Sequence, residues 1–123
     1  MAKKVTITGV LLKRKDKILL VCEKKEPEAG LWNIPAGHVD EGETILEAAK
    51  REGEEESGFT LEVGKEIKTV RGKSKNVTIY VFEAKILGGK IKFDPEELTD
   101  VRWFSKKEIM KLPLREPFIS NLV

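Results

Sequence analysis

Residues 44–59 read Thr44-Ile45-Leu46-Glu47-Ala48-Ala49-Lys50-Arg51-Glu52-Gly53-Glu54-Glu55-Glu56-Ser57-Gly58-Phe59. Thr44 and Glu47 have the spacing of a capping box, so Thr44 is the expected N-cap. Gly58 follows the last helical residue and suits the left-handed position there, with Phe59 packing back. The spacing predicts a helix from Thr44 to Ser57. With Glu52 at zero and about 100° per residue, Ile45 falls at about +20°, Ala48 at about −40° and Ala49 at about +60°. On the same wheel Glu55 falls at about −60° and Glu56 at about +40°. The stripe that should enter the core is therefore apolar in its first half and carboxylate in its last two turns. Glu47, Lys50, Glu54 and Ser57 take the outward positions.

Three carboxylates at spacings of three and four repel one another, and partial burial sharpens the repulsion. Arg51, at about −100°, flanks the stripe and can pin one of them. A single guanidinium leaves net negative charge. An all-oxygen donor set on a helix suits a hard divalent cation, Mg²⁺ or Mn²⁺, which keeps several waters and shares its shell with substrate phosphates. A wholly solvated Glu-rich helix end is the alternative reading of these residues.

Around this helix the pattern is one of strands. Val5 to Leu11 alternates, and Ile18 to Cys22 is a continuous apolar run expected as a buried strand. Lys13 to Asp16 is a polar turn between them. Leu31 to Gly37 reads as one short strand ending in a turn. Two or three further strands are expected, at Thr60–Val63, about Ile67–Arg71 and Val77–Ile86, the last closed by a Gly88-Gly89 turn and a short return strand at Ile91–Phe93. Val101–Phe104 reads as a strand and Ser105–Leu112 as a short helix. Strands around a central helix predict an α/β class with a mixed sheet.

The length of 123 residues suits one domain, 1–123, with one sizeable core. Charged residues make up 36% and hydrophobic residues 40%, which excludes collagen-like, disordered and membrane-spanning compositions. Met1 to Thr8 has no apolar core of a signal peptide, and the lone Cys22 excludes an internal disulfide and a cysteine zinc site. An intracellular, cytoplasmic protein is expected. Net charge is +2, but the segment from Asp40 to Ser57 holds eight acids against Lys50 and Arg51. An acidic island in a basic chain fits a cation site facing an anionic ligand, or an acidic solvated helix face. The basic groups Lys3-Lys4 and Lys13-Arg14-Lys15 lack interleaved aromatics, so no nucleic acid is expected.

Gly37, Glu43, Arg51, Glu52, Glu55, Glu56 and Gly58, in this spacing, resemble the Nudix box of the Nudix (MutT-like) hydrolases at all its fixed positions. One position departs: Gly53 stands where a bulky aliphatic is usual, which weakens the helix by about 1 kcal/mol and leaves a packing gap or a close backbone approach. The resemblance implies an α/β/α sandwich with a mixed central sheet. It implies hydrolysis of a nucleoside diphosphate linked to another group, with a small nucleotide as partner and a homodimer left open. By position, Glu52, Glu55 and Glu56 would ligate Mg²⁺ or Mn²⁺, one of them also able to serve as base. The Gly37 carbonyl would complete the metal shell. Arg51 would orient a glutamate for catalysis, and Glu43 would support the loop and the metal site from behind.

The subfamily signs are mostly negative. ADP-ribose-type members resemble one another in a proline where this chain has Lys73-Ser74-Lys75, and dinucleoside-polyphosphate types in a tyrosine where it has Asn76 and Val77. Leu31 to His38, Arg102 to Ser105 and Leu114 to Pro117 look similar to a branch acting on nucleoside tri- and diphosphates and on thiamine-pathway pyrophosphates. That substrate class is the first expectation. ADP-ribose or a dinucleoside polyphosphate is the second, and a catalytically silent nucleotide- or RNA-binding module the third. His38, Lys24 and Lys25 could meet phosphates, or be a plain loop histidine and a solvated edge. Tyr80 and Phe104, like Trp32 and Trp103, could stack a base or belong to the core.

Overall fold

Strand β1 (Val5–Leu11) alternates as a pleat requires, with Val10 facing one apolar cluster and Leu11 the other. Strand β3 (Lys17–Glu23) does the same, Leu19 and Val21 against Ile18 and Leu20. Both are covered on two faces, which is why β3 reads as a continuous apolar run. The computed structural model describes residues 3–72, 74 and 76–122. Met1 and Ala2 of the leader reading, and Lys73 and Lys75 of the subfamily comparison, lie outside the described residues.

Between β1 and β3 lies the short strand β2 (Lys13–Arg14), paired back onto β3. The stretch Leu31–Gly37 is not one strand but two. Strand β4 (Trp32–Asn33) pairs with β3, and β5 (Ala36–His38) pairs with β1. Ile34 and Pro35 carry the chain from one sheet to the other, with Ile34 buried in the second cluster. The proline sits where no ladder donor is needed.

Helix α1 (Ile45–Ser57) has both expected ends. The Glu47 N–H donates to Thr44 Oγ1 at 3.0 Å, and the Thr44 N–H donates to Glu47 Oε1 at 2.8 Å. Gly58 takes φ 87° and donates its N–H to the Glu54 carbonyl at 2.9 Å. A Cβ on Gly53 would stand 2.8 Å from both Leu61 Cδ1 and Val10 Cγ2. The missing side chain thus lets α1 seat closely on its neighbours. Ser57 is buried rather than outward. Its hydroxyl donates to the Gly53 carbonyl at 2.6 Å and accepts from the Phe59 N–H at 3.1 Å, so it enters the interior fully satisfied.

The strands expected at Thr60–Val63 and Ile67–Arg71 form one strand, β6 (Phe59–Arg71), irregular in register between Val63 and Lys68. Bulges absorb the residues that looked like a break. Strand β7 (Val77–Gly89) runs on through both glycines. Ile91–Phe93 is no strand. Instead the Lys92 N–H donates to the Ser57 carbonyl at 3.0 Å and closes the helix end. Strand β8 (Leu98–Ser105) leads into a short α2 (Lys106–Ile109), capped by Ser105 and Glu108, and a 3₁₀ turn covers Pro117–Asn121.

The strands form two four-stranded sheets, of which the first is the expected mixed sheet. The first has the order β5-β1-β7-β6, with β1 and β7 parallel and the outer pairs antiparallel. In the second, β3 pairs antiparallel with β2, β4 and β8. Helix α1 covers the first cluster through Ala49, and Ile109 and Ile119 cover the second from α2 and the 3₁₀ turn. This is the expected mixed α/β layering, with helical elements on both faces of the strands. Among the described residues no helix is long and apolar enough to cross a membrane.

Gly58→Ala should destabilise the chain by about 2 kcal/mol or more. Its positive φ disfavours any side chain, and a Cβ there would stand 2.3 Å from the backbone atoms Lys90 O and Lys92 N. Urea unfolding reads the effect, and a loss under about 0.5 kcal/mol would contradict this account of the helix end.

Candidate active site

Helix α1 lies along β5, and each of the three strand residues meets a polar group from the helix. The Ala36 N–H donates to Glu56 Oε1 at 2.9 Å. Over Gly37 rests the Glu52 carboxyl group, whose Cδ lies 2.2 Å from where a Gly37 Cβ would be. Only glycine leaves that space. The His38 carbonyl accepts from Arg51 Nη2 at 3.1 Å.

Arg51 serves more carboxylates than the one expected of it. Its Nε and Nη2 hold Glu43 in a two-pronged contact at 2.7 and 3.0 Å. Nη1 lies 2.6 Å from Glu52 and 3.5 Å from Glu55, and Nη2 lies 3.3 Å from Asp40. The rigid five-donor fork makes this sharing available where a lysine could not. The pairing with Glu43 drives the already high pKa of Arg51 further up, so it stays a fixed positive charge. Glu43 is correspondingly held below the usual carboxylate range, first by Arg51 and then by the Asp40 N–H.

Glu52 and Glu56 behave in the opposite way. Burial raises the pKa of Glu52 despite the pull of Arg51, and Glu55 and Asp40 add to it. Glu56 is pushed up to about 8, first by burial, with the charges of Glu23 and Glu52 adding to it while the Ala36 N–H and Arg115 oppose it. Glu55, with its side chain 60% exposed, is the outer member of the trio. Two partly buried carboxyls that hold their protons this tightly are hard oxygen donors short of positive charge. Among the described residues no three acidic, histidine or cysteine side chains already converge as a cage. A cation that keeps its waters and takes one or two carboxylates beside substrate phosphates needs no such cage, so the donor set fits Mg²⁺.

Glu23, Asn33 and Arg115 adjoin this site and were not anticipated. Glu23 is ion-paired with Arg115, Asn33 Nδ2 lies 3.5 Å from Glu23, and Arg115 Nη2 lies 3.7 Å from Glu28. Backbone pairing brings Arg115 in: the Trp32 N–H donates to Pro113 O at 2.8 Å and the Arg115 N–H to Trp32 O at 2.9 Å. Glu23 had a readable signal. The alternation of β3 puts it on the face of Leu19 and Val21, where an apolar residue would be usual. Arg115 comes from the far end of the chain, and its only signal was the likeness of Leu114 to Pro117 to that branch of the family.

The other candidates are placed as follows. Lys24 Nζ donates to the Pro95 carbonyl at 2.7 Å, and Lys25 pairs with Glu97 at 3.0 Å, both on the exposed surface. His38 has an exposed side chain at the end of β5. Tyr80 packs on the first cluster. Phe104 is buried in the second, edge-on to Trp32 with ring centroids 4.8 Å apart. Gly37, Glu43, Arg51, Glu52 and Glu56 are thus brought together, with Glu55 joined through Arg51. Among the described residues no hydrogen bond or ion pair links Lys24, Lys25, Tyr80 or Phe104 to the trio.

The NUDIX domain profile matches residues 2–122. The chain is 33% identical over 120 residues to "8-oxo-dGDP phosphatase NUDT18" of Homo sapiens, covering 95% of this chain and 36% of that one. It thus spans about a third of that relative's length. It is 31% identical to "Oxidized purine nucleoside triphosphate hydrolase" of Danio rerio, covering 95% of this chain and 74% of that one. Among solved structures it is similar to a MutT NUDIX hydrolase from Burkholderia pseudomallei, with a TM-score of 0.83, 27% identity and coverage of 98% and 95%. A profile match over nearly the whole chain, together with these relatives and this shared fold, shows that the chain belongs to the Nudix hydrolase family.

Proposed function

We propose that residues 1–123 form one Nudix domain that hydrolyses a phosphoanhydride bond of nucleoside tri- or diphosphates, with oxidised purine nucleotides the first class to test. The observation that carries this reading is the pair Glu52 and Glu56, held over Gly37 and Ala36 with their affinity for positive charge raised. The printed activities of the two relatives favour the substrate class. Glu52, Glu55, Glu56 and the Gly37 carbonyl would hold Mg²⁺, with Mn²⁺ an alternative. Bound there, the ion supplies charge neutralisation at phosphate and a lowered pKa for a coordinated water. Arg51 keeps Glu43 and Glu52 in fixed orientations, and Glu43 in turn ties the 40–43 loop to the helix by accepting from the Asp40 N–H at 2.9 Å. The partner is a small nucleotide rather than a membrane or a nucleic acid, and the location cytoplasmic.

Incubation with Mg²⁺ and a panel of 8-oxo-dGTP, 8-oxo-dGDP, dGTP, ADP-ribose and a dinucleoside tetraphosphate tests this, with products separated by chromatography. The expected result is a nucleoside monophosphate, with pyrophosphate from a triphosphate or orthophosphate from a diphosphate. Turnover of ADP-ribose or the dinucleotide alone would move the substrate class. No turnover of any of them, with Mg²⁺ or Mn²⁺, would overturn the hydrolase reading in favour of a binding module.

A further inference from the structure

Thr8 is fully buried, and its Oγ1 has no hydrogen-bond partner among the described residues. A buried hydroxyl in that state is destabilising, and such groups are few in folded chains. Its place in the fold is specific. In β1, Val10 belongs to the cluster under α1 and Leu11 to the opposite one, so the pleat turns Thr8 toward α1 with Val10. Thr8 stands directly opposite Gly37 in the antiparallel pairing of β1 with β5. Opposite residues in such a pair share a face. The vacant side-chain position of Gly37 is where the Glu52 carboxyl group rests. One strand further in, Val10 touches the position of a Gly53 Cβ, so the helix residues around Glu52 lie over this part of β1.

We propose that Thr8 is a positioning residue for Glu52: its hydroxyl donates to that carboxylate from the β1 side when a divalent cation occupies the site. This rests on the metal-dependent hydrolysis proposed above. Glu52 now spends one oxygen on Arg51 at 2.6 Å, and an ion competes for the same group. A donor on the strand side fixes the orientation of the carboxylate while it is shared. Groups that orient metal ligands in this way are worth about ten- to a hundredfold in metal affinity. The unpaired hydroxyl of the metal-free chain then has a physical reason.

Thr8→Val keeps the shape and removes the donor, and Thr8→Ser keeps the donor. Direct Mn²⁺ titration by electron paramagnetic resonance, without nucleotide, should show about tenfold weaker binding for Thr8→Val and near wild-type binding for Thr8→Ser. Without metal, Thr8→Val should melt at the wild-type temperature or above, because an unpaired hydroxyl is replaced by a methyl. Thr8→Ala also lacks the hydroxyl and decides the matter if Thr8→Val does not fold. Wild-type Mn²⁺ affinity in a folded Thr8→Val or Thr8→Ala chain would overturn the positioning role and leave the hydrolase reading standing. Absence of Mn²⁺ binding by the wild-type chain, both without nucleotide and with a non-hydrolysable nucleoside triphosphate present, would overturn both.

Discussion

Glu56→Gln should lower turnover of the best nucleotide in the panel by about a thousandfold, or about 4 kcal/mol of barrier, while leaving the fold intact. Glutamine keeps the acceptor for the Ala36 N–H that Glu56 now satisfies at 2.9 Å, so the local hydrogen bond survives. What disappears is the negative charge that would hold the cation. The loss should fall on kcat and on the Mg²⁺ dependence, since nothing in the hydrogen bonding of Glu56 reaches beyond β5. Glu55→Gln separates a trio of ligands from a pair. Its carboxylate is exposed and held only at 3.5 Å by Arg51, so a fall of about a hundredfold or more would mean that it too engages the ion. Steady-state kinetics across a range of Mg²⁺ concentrations reads both variants. Full activity of both would remove the metal assignment altogether.

The part of this site that was legible is the part encoded on one helix face. Period, caps and charge placed Glu52 and Glu56 on the inward stripe without any knowledge of what lay opposite them, whereas Glu55, expected on the same stripe, is exposed. The Arg51 fork was underestimated because Asp40 and Glu43 approach from a loop, and the loop path is not periodic. Glu23 broke the alternation of β3 and was readable in principle. Arg115 depends on the C-terminal segment pairing with β4, a contact between distant parts of the chain, and Asn33 on the pairing of β4 with β3. The fold shows the same division. Apolar alternation identified β1 and a continuous apolar run identified β3, but the split of Leu31–Gly37 between two sheets depends on the partners of each half. The fused β6 is likewise decided by β7, whose ladder bridges the Gly64-Lys65 irregularity. Ser57 escaped the helical wheel because its hydroxyl finds partners within its own turn, which removes the penalty for burying it.

Metal-free protein should lose stability steadily as pH rises from about 4.5 to about 8. Glu56 keeps its proton in the folded chain up to about 8, whereas its ordinary value is 4.5. Between those values the folded state binds one more proton than the unfolded state, so raising the pH favours unfolding, at about 1.4 kcal/mol per pH unit. Above about 8 both states are ionised, the slope vanishes, and several kcal/mol have been lost. Glu52, also raised by burial, acts with the same sign. Glu43, Glu54 and Glu108 act with the opposite sign at lower pH. Hydrogen bonds hold all three below 4.5, so their contributions are present above that value and are lost as pH falls through their folded values. Stability without metal should therefore peak on the acid side of neutrality. Glu56→Gln cannot ionise there, so its urea midpoint should fall much less than that of the wild type between about pH 5 and about pH 8, with only the contribution of Glu52, of the same sign, remaining. Saturating Mg²⁺ should flatten the wild-type curve as well, because a bound cation favours the ionised carboxylates, and EDTA should restore the slope. Parallel wild-type and Glu56→Gln curves in EDTA would mean that Glu56 is not the buried acid described here.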